Sequence, residues 1–241
     1  MKNYNRYLFT KKTIISLLFL SFTSLSFGQS RNEISIQNSI GFLCLSTDGS
    51  LKRKILNETD IDGSPYLNKE FISGNIFTKN KIQYVGVPLR YNIYNDEMEF
   101  KTDTENYLAI SDPKSMKEIR IGGAVFVYDI KRNKKGEQEG YYELLQDGNV
   151  RLLSRYNIVF KPITSTTGYK QSQPPRLNRN ANTYYIKTGS SEPLLLASKK
   201  DLDVIFGSKN DKLLAFIKSR KLNVKKEEDL IKLVEFINQM E

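Results

Sequence analysis

From Phe71 to about Pro162, apolar and polar residues alternate with period two, Ile, Val, Tyr and Phe are abundant, and turn-forming residues recur about every eight to twelve positions. Successive strand residues point to opposite faces, so this spacing predicts half-buried antiparallel strands. ELLQDGNVRLL carries Asp147 and Gly148, which tolerate positive φ in a two-residue turn and place Leu145 opposite Val150. NIFTKNKIQY, folding about Lys79 and Asn80, sets Phe77 opposite Ile82. YLAISDPKSMKEIRI and AVFVYDI give further strands, parted at Gly122 and Gly123, and KRNKKGEQEG reads as a polar, basic loop tip.

Residues 163–182, with the pair Pro174 and Pro175, are poor in apolar side chains and read as one long loop in which Arg176 and Arg179 are candidates to grip an anion. NTYYIKT then returns the chain to the sheet. After Leu196 the period becomes helical. DLDVIF ends at Gly207, Ser208 and Asp211 form a candidate capping box, and the next helix buries Leu213, Phe216 and Ile217. Asn223 is a candidate cap for a last helix carrying Leu230, Val234 and Ile237, with Glu228 four residues before Lys232. Lys218, Arg220, Lys221, Lys225 and Lys226 make the corner between these helices basic.

The fold class expected is α+β, mostly β: an antiparallel β-meander, as a curved sheet, sandwich or partly closed barrel, with two or three C-terminal amphipathic helices. Its parts are a signal peptide (1–28), an N-terminal segment (29–68), the β domain (69–197) and helices packed on the sheet (198–241).

The export signal is read from Lys2, Arg6, Lys11 and Lys12, the apolar run Ile14 to Leu20, and small residues at Ser26 and Gly28. The run is too short for a membrane span, and Cys44 lacks the context for lipid attachment, so the mature chain is expected in the periplasm or outside the cell, not as a lipoprotein. Cleavage would leave 213 residues and lower the net charge from +10 to +6. That surplus suits an envelope protein, a polyanion or peripheral contact with lipid head groups, and export argues against nucleic acid. A single cysteine allows no internal disulfide.

With no histidine, the chain excludes Ser/His/Asp and Cys/His relays and histidine-bearing zinc sites. No phosphate loop, GxSxG elbow or EF-hand loop occurs, and no cofactor or metal site is expected. Ser111 to Lys114 spells SxxK and Lys187 to Gly189 spells KTG, the outer motifs of penicillin-binding enzymes. The serine there follows a strand instead of opening a buried helix, and no SxN lies between the motifs.

Carboxylates remain, most densely in YNIYNDEMEF, Tyr91 to Phe100. A turn at Asn95 and Asp96 sets Tyr94 opposite Glu97, Ile93 opposite Met98, Asn92 opposite Glu99 and Tyr91 opposite Phe100. Tyr91, Ile93, Met98 and Phe100 then share a buried face, while Asn92, Tyr94, Glu97 and Glu99 share a polar one beside Arg90 and Lys101. The candidate binding residues are Tyr94, Glu97, Glu99, Arg90, Arg176 and Arg179, and none is a catalytic candidate.

GSPYLNKEF, GNIFTKN, VPLRYNIYNDEMEF and LNVKKEEDLIKLVEFIN resemble a group of uncharacterised secreted or envelope proteins of Bacteroidota-type bacteria, over the span from about Asp62 to the end. The resemblance implies an envelope or secreted location and no mechanism. The function expected is a non-enzymatic module binding an envelope protein or anionic envelope polymer; the alternatives are a curved-sheet or barrel carrier of a small apolar ligand or lipid, with Tyr91, Tyr107, Tyr128 and Tyr142 lining its pocket, and, against the absence of a catalytic motif, a hydrolase using Glu97 and Glu99.

Overall fold

A computed structural model describes residues 33–34, 61–102, 106–133, 136–163, 174–207 and 210–240. The expected export signal, Cys44 and Ser208 lie outside the described residues. Strands hold 47% of the described residues, so the fold is mostly β, a curled antiparallel half-barrel with three C-terminal helices.

The strands are β1 (Glu33–Ile34), β2 (Ile72–Thr78), β3 (Gln83–Asn92), β4 (Glu97–Lys101), β5 (Tyr107–Ala109), β6 (Met116–Ile121), β7 (Ala124–Asn133), β8 (Gly136–Gln146), β9 (Val150–Arg155), β10 (Ile158–Lys161), β11 (Arg176–Arg179), β12 (Thr183–Thr188) and β13 (Leu194–Leu195). The main sheet runs β13-β12-β9-β8-β7-β6-β2-β3-β4-β5, two meanders joined where β6 pairs with β2, and β1 adds in parallel to β3. Its curl is strong enough for Lys187 on β12 to pair with Asp129 on β7, and for Lys131 Nζ to donate to Tyr185 Oη at 3.2 Å, with β8 and β9 between them in the order.

Two cores result. Ile76, Leu89, Tyr91, Met98, Phe100, Ile119 and Phe126 pack on one part of the sheet, closed by Ile158 and Leu177 from the β10–β11 hairpin. Val150, Leu152 and Ile186 meet the helices α1 (Asp201–Phe206), α2 (Asn210–Ser219) and α3 (Glu227–Met240). Helix α3 buries Leu230, Leu233, Val234 and Ile237. At ~1.5–3 kcal/mol per buried side chain, packing outweighs helix propensities of a few tenths, so the apolar stripe sets this helix. Helix α1 ends on Gly207 (φ 54°) as its sequence predicts. In α2, Leu213 and Ile217 are buried, but Phe216 is half-buried and stacks on Phe236 with centroids 3.9 Å apart. Asn223 Oδ1 accepts the Lys225 N–H at 3.0 Å, so it opens the turn before α3.

Four local expectations change. The β2–β3 turn holds three residues: Lys81 takes φ 65°, and Phe77 pairs with Gln83, not Ile82. Between β8 and β9 a bulge at Leu145 gives Gln146↔Leu152 in place of Leu145↔Val150. There Asn238 of α3 intervenes: its Oδ1 accepts the Val150 N–H (2.8 Å) and its Nδ2 donates to the Val150 carbonyl (2.9 Å). A side chain at Gly148 would strike it, since an added Cβ lies 2.5 Å from Asn238 Nδ2. KRNKKGEQEG is mostly strand, with the β7–β8 hairpin paired out to Asn133↔Gly136. The 163–182 loop contains β11, which needs only Leu177 as its buried anchor because backbone pairing with β10 carries the rest.

Candidate functional site

The β3–β4 connection is a four-residue turn, Ile93 to Asp96, and the pairs are Asn92↔Glu97, Tyr91↔Met98, Arg90↔Glu99 and Leu89↔Phe100. The expected two-residue turn is therefore wrong. A partner two residues away stays on the same face, so the division between buried Tyr91, Met98 and Phe100 and the polar Asn92, Glu97 and Glu99 survives. The longer turn is held by contacts remote in sequence. Pro65 carbonyl accepts the N–H groups of Ile93 (2.8 Å) and Tyr94 (3.2 Å), and Asn92 Oδ1 accepts that of Asn95 (3.1 Å). Asp96 closes it with φ 58°.

Glu99 is buried rather than solvent-facing. Arg90 Nε (3.1 Å) and Nη2 (2.6 Å) donate to its Oε2, and Asn92 Nδ2 donates to Oε1 at 3.0 Å. The guanidinium is stacked on Tyr66 at 3.7 Å and Phe71 at 4.3 Å, and its Nη1 donates to the Lys69 carbonyl. A buried carboxylate committed to a stacked arginine is a structural pair. Glu97 lies half-buried on the same strand opposite Asn92. The two glutamates thus fail to present a pair of free carboxylates to a cleft, as hydrolysis would require.

Asp96, expected as one of the two residues at the hairpin tip, turns its carboxylate inward. Its Oδ1 accepts from Tyr91 Oη (2.7 Å) and the Tyr141 N–H (3.2 Å), and its Oδ2 accepts from Arg155 Nη2 (2.8 Å). The cause lies in the sheet. Strand β9 pairs with β8 only as far as Glu143↔Ser154, which leaves the next backbone groups on that edge of β8 without a strand. Asp96 takes the Tyr141 N–H, and Arg155 Nη2 donates to the Glu139 carbonyl at 3.3 Å, so the ion pair stands where the missing strand would be. Burial raises the Asp96 carboxyl above the usual carboxylate range, against the opposing pull of Arg155 and its hydrogen bonds. Burial also pushes the Tyr91 and Tyr141 phenols well up, and Asp96 adds to both.

The pair forms the floor of a cleft of about 430 Å³. Ile93, Tyr94 and Asn95 of the turn make one wall; Gln138, Tyr156, Asn157, Ile158, Thr183 and Tyr185 make the rest. Tyr156 donates to Glu143 Oε2 at 2.5 Å, and Arg179 lies over its ring at 4.7 Å. A larger groove of about 730 Å³ opens beside Phe216, Arg220 and Phe236 between α2 and α3. Its floor is the stacked Phe216 and Phe236 pair, and Ser219, Arg220, Leu222, Lys232, Glu235 and Gln239 complete its lining.

Of the residues singled out from sequence, Tyr94 lines this cleft, and Arg179 lies over the ring of a lining residue, Tyr156. Arg90 and Glu99 pair with each other beside a hollow of about 230 Å³, and Arg176 is a β11 residue paired with Lys161. Asp96, Arg155, Gln138, Tyr156, Asn157, Thr183 and Tyr185 were missed. One signal was available: Gly140 interrupts the strand pattern before Tyr141, and an added Cβ there would lie 2.2 Å from Asp96 Oδ2 and 2.5 Å from Arg155 Nη2. The four tyrosines of the carrier reading do not converge. Tyr91 and Tyr142 fill cores, Tyr128 bonds Glu139 at 3.2 Å, and Tyr107 is exposed beside Phe71.

The SxxK and KTG residues are placed structurally: Lys114 pairs with Glu139 at 2.6 Å and Lys187 with Asp129. Among the described residues no group of three or more Asp, Glu or Cys is placed to hold a metal ion, and no helix is long and apolar enough to cross a membrane. Comparison with known proteins finds no matching family model, no matching curated protein and no matching solved structure, and the cleft's own geometry carries the functional reading.

Proposed function

We propose that the chain is an exported, non-enzymatic β-rich module that binds an envelope protein or anionic envelope polymer in the Asp96–Arg155 cleft. One observation carries this: the ionisable groups at the cleft floor are spent on one another. Asp96 accepts three hydrogen bonds and Arg155 spans Asp96 and the Glu139 carbonyl, so among the described residues that line the cleft no carboxylate or guanidinium is left free to face the opening. Beside Ile93 and Ile158 the walls are amides, phenols and a threonine, groups suited to orienting a bound polar ligand. The turn wall is fixed from outside the hairpin, because the Pro65 carbonyl accepts the N–H groups of Ile93 and Tyr94, so the site is held in shape without a ligand.

The test is a pull-down of envelope components with the mature protein and with Asn157→Trp, which fills the cleft from an exposed position. A partner retained by the parent and lost by the variant supports the reading. Equal recovery by both would move binding elsewhere.

A further inference from the structure

We propose that the groove between α2 and α3 is a second docking surface, one that takes an acidic amphipathic helix of a partner protein. It shares no lining residue with the Asp96–Arg155 cleft, so the two surfaces can be tested separately.

Shape supplies the first argument. Phe216, Ser219 and Arg220 come from the C-terminal end of α2, and Lys232, Glu235, Phe236 and Gln239 from α3. Intervals of three and four put each set on one face of its helix, so two helices border a channel of about 730 Å³ that is open to a third. Its floor is apolar: Phe216 and Phe236 are half-buried and lie parallel to within 2°.

Charge supplies the second. Between Asp211 and Glu227 the chain carries Lys212, Lys218, Arg220, Lys221, Lys225 and Lys226 and no carboxylate. Arg220 lines the groove, and Lys218 and Lys221 adjoin its lining residues along the chain. All three are exposed and form no ion pair among the described residues. Lys232 lines the other side, only 3.5 Å from Asp229, whose carboxylate also accepts the Asn223 N–H. Glu235 is the one carboxylate of the lining, against two cations. The helix dipole favours a cation at the end of α2, but Lys221 takes φ 54°, where glycine is the usual residue, so this charge is held at a cost to the backbone.

A partner must therefore bring apolar side chains for the floor and carboxylates for the rim. A second copy would set the same cations against this face. A lipid surface takes apolar side chains that project, whereas these two rings form the floor of a groove. An anionic polymer without apolar groups would leave the phenyl floor uncovered.

The experiment is fluorescence anisotropy of three labelled probes with the mature protein: a helical peptide of about fourteen residues with leucines at i, i+3, i+4 and i+7 and glutamates elsewhere, the same peptide with lysine for glutamate, and a polyglutamate of equal length. The leucine–glutamate helix should bind about tenfold or more tightly than either control at low salt, and its lead over the lysine peptide should close as salt rises. Arg220→Glu, and Gln239→Trp, which fills the groove from an exposed position, should each weaken it about tenfold at an unchanged urea midpoint. Asn157→Trp should leave it unchanged. No binding of the leucine–glutamate helix, equal binding of all three probes, or indifference to both groove substitutions overturns the inference. Loss of binding in Asn157→Trp alone moves the peptide to the cleft and overturns it as well. Polyglutamate binding as tightly as the amphipathic helix assigns an anionic polymer instead, and flotation with phosphatidylglycerol vesicles that Arg220→Glu abolishes, without peptide binding, assigns a lipid surface.

Discussion

Alanine at Gly140 probes the cleft floor with a single methyl group. The backbone there lies outside the positive-φ region, so alanine alone would gain ~0.5–1 kcal/mol by restricting the unfolded chain. Against this, the new Cβ would sit 2.2 Å from Asp96 Oδ2, 2.5 Å from Arg155 Nη2 and 2.9 Å from Arg155 Cζ. The pair must move, which loses charge-assisted hydrogen bonds worth about 1.5–3 kcal/mol each and strands the Tyr141 N–H or Glu139 carbonyl at ~1–3 kcal/mol. A net loss of ~2–4 kcal/mol follows, read as a lower urea midpoint at unchanged slope. In an Arg155→Met background the same alanine should cost less, because the guanidinium contacts are gone while the one to Asp96 Oδ2 remains. A neutral or stabilising Gly140→Ala, or equal costs in the two backgrounds, would refute the placement of the ion pair over Gly140.

Arg90→Ala should cost ~3–5 kcal/mol, since it leaves the Glu99 carboxylate buried without its cation, and Arg90→Lys should recover only part of that in denaturant unfolding. Asn238→Ala removes both hydrogen bonds to Val150 and should cost ~1–3 kcal/mol, with faster amide exchange at Val150 as the local signature. The Asp96 carboxyl is raised in the folded state, so between its unfolded and folded values the native chain binds more protons. Its contribution is fully present below the unfolded value of about 3.9 and falls as pH rises through the folded one. The stability of the parent relative to Asp96→Asn should accordingly decline from acid to neutral pH, and a rise would contradict the direction of the shift.

How far the sequence reveals this molecule depends on whether the determining contacts are local. The period-two run and the helical run after Leu196 report burial on one face of each element, and both appear where expected. The face partition of YNIYNDEMEF is equally local and holds, whereas its register does not. That register depends on Pro65, some thirty positions upstream, whose carbonyl captures two turn N–H groups. The β8–β9 bulge depends in the same way on Asn238. The cleft is the least legible part, because Asp96 and Arg155 come together only where β9 leaves β8, and no spacing encodes that departure. Gly140 alone marks it, as a residue whose missing side chain makes room for two others.

The claim that ligand binds between the β3–β4 turn and β12 is tested most directly by hydroxyl-radical footprinting of the tyrosines in the presence and absence of envelope polymer. Tyr94 and half-buried Tyr156 line the cleft, while exposed Tyr107 on the edge strand β5 lies outside it. Protection of Tyr94 and Tyr156 with Tyr107 unchanged is the predicted result. Protection of Tyr107 with the two cleft tyrosines as reactive as before would contradict the account.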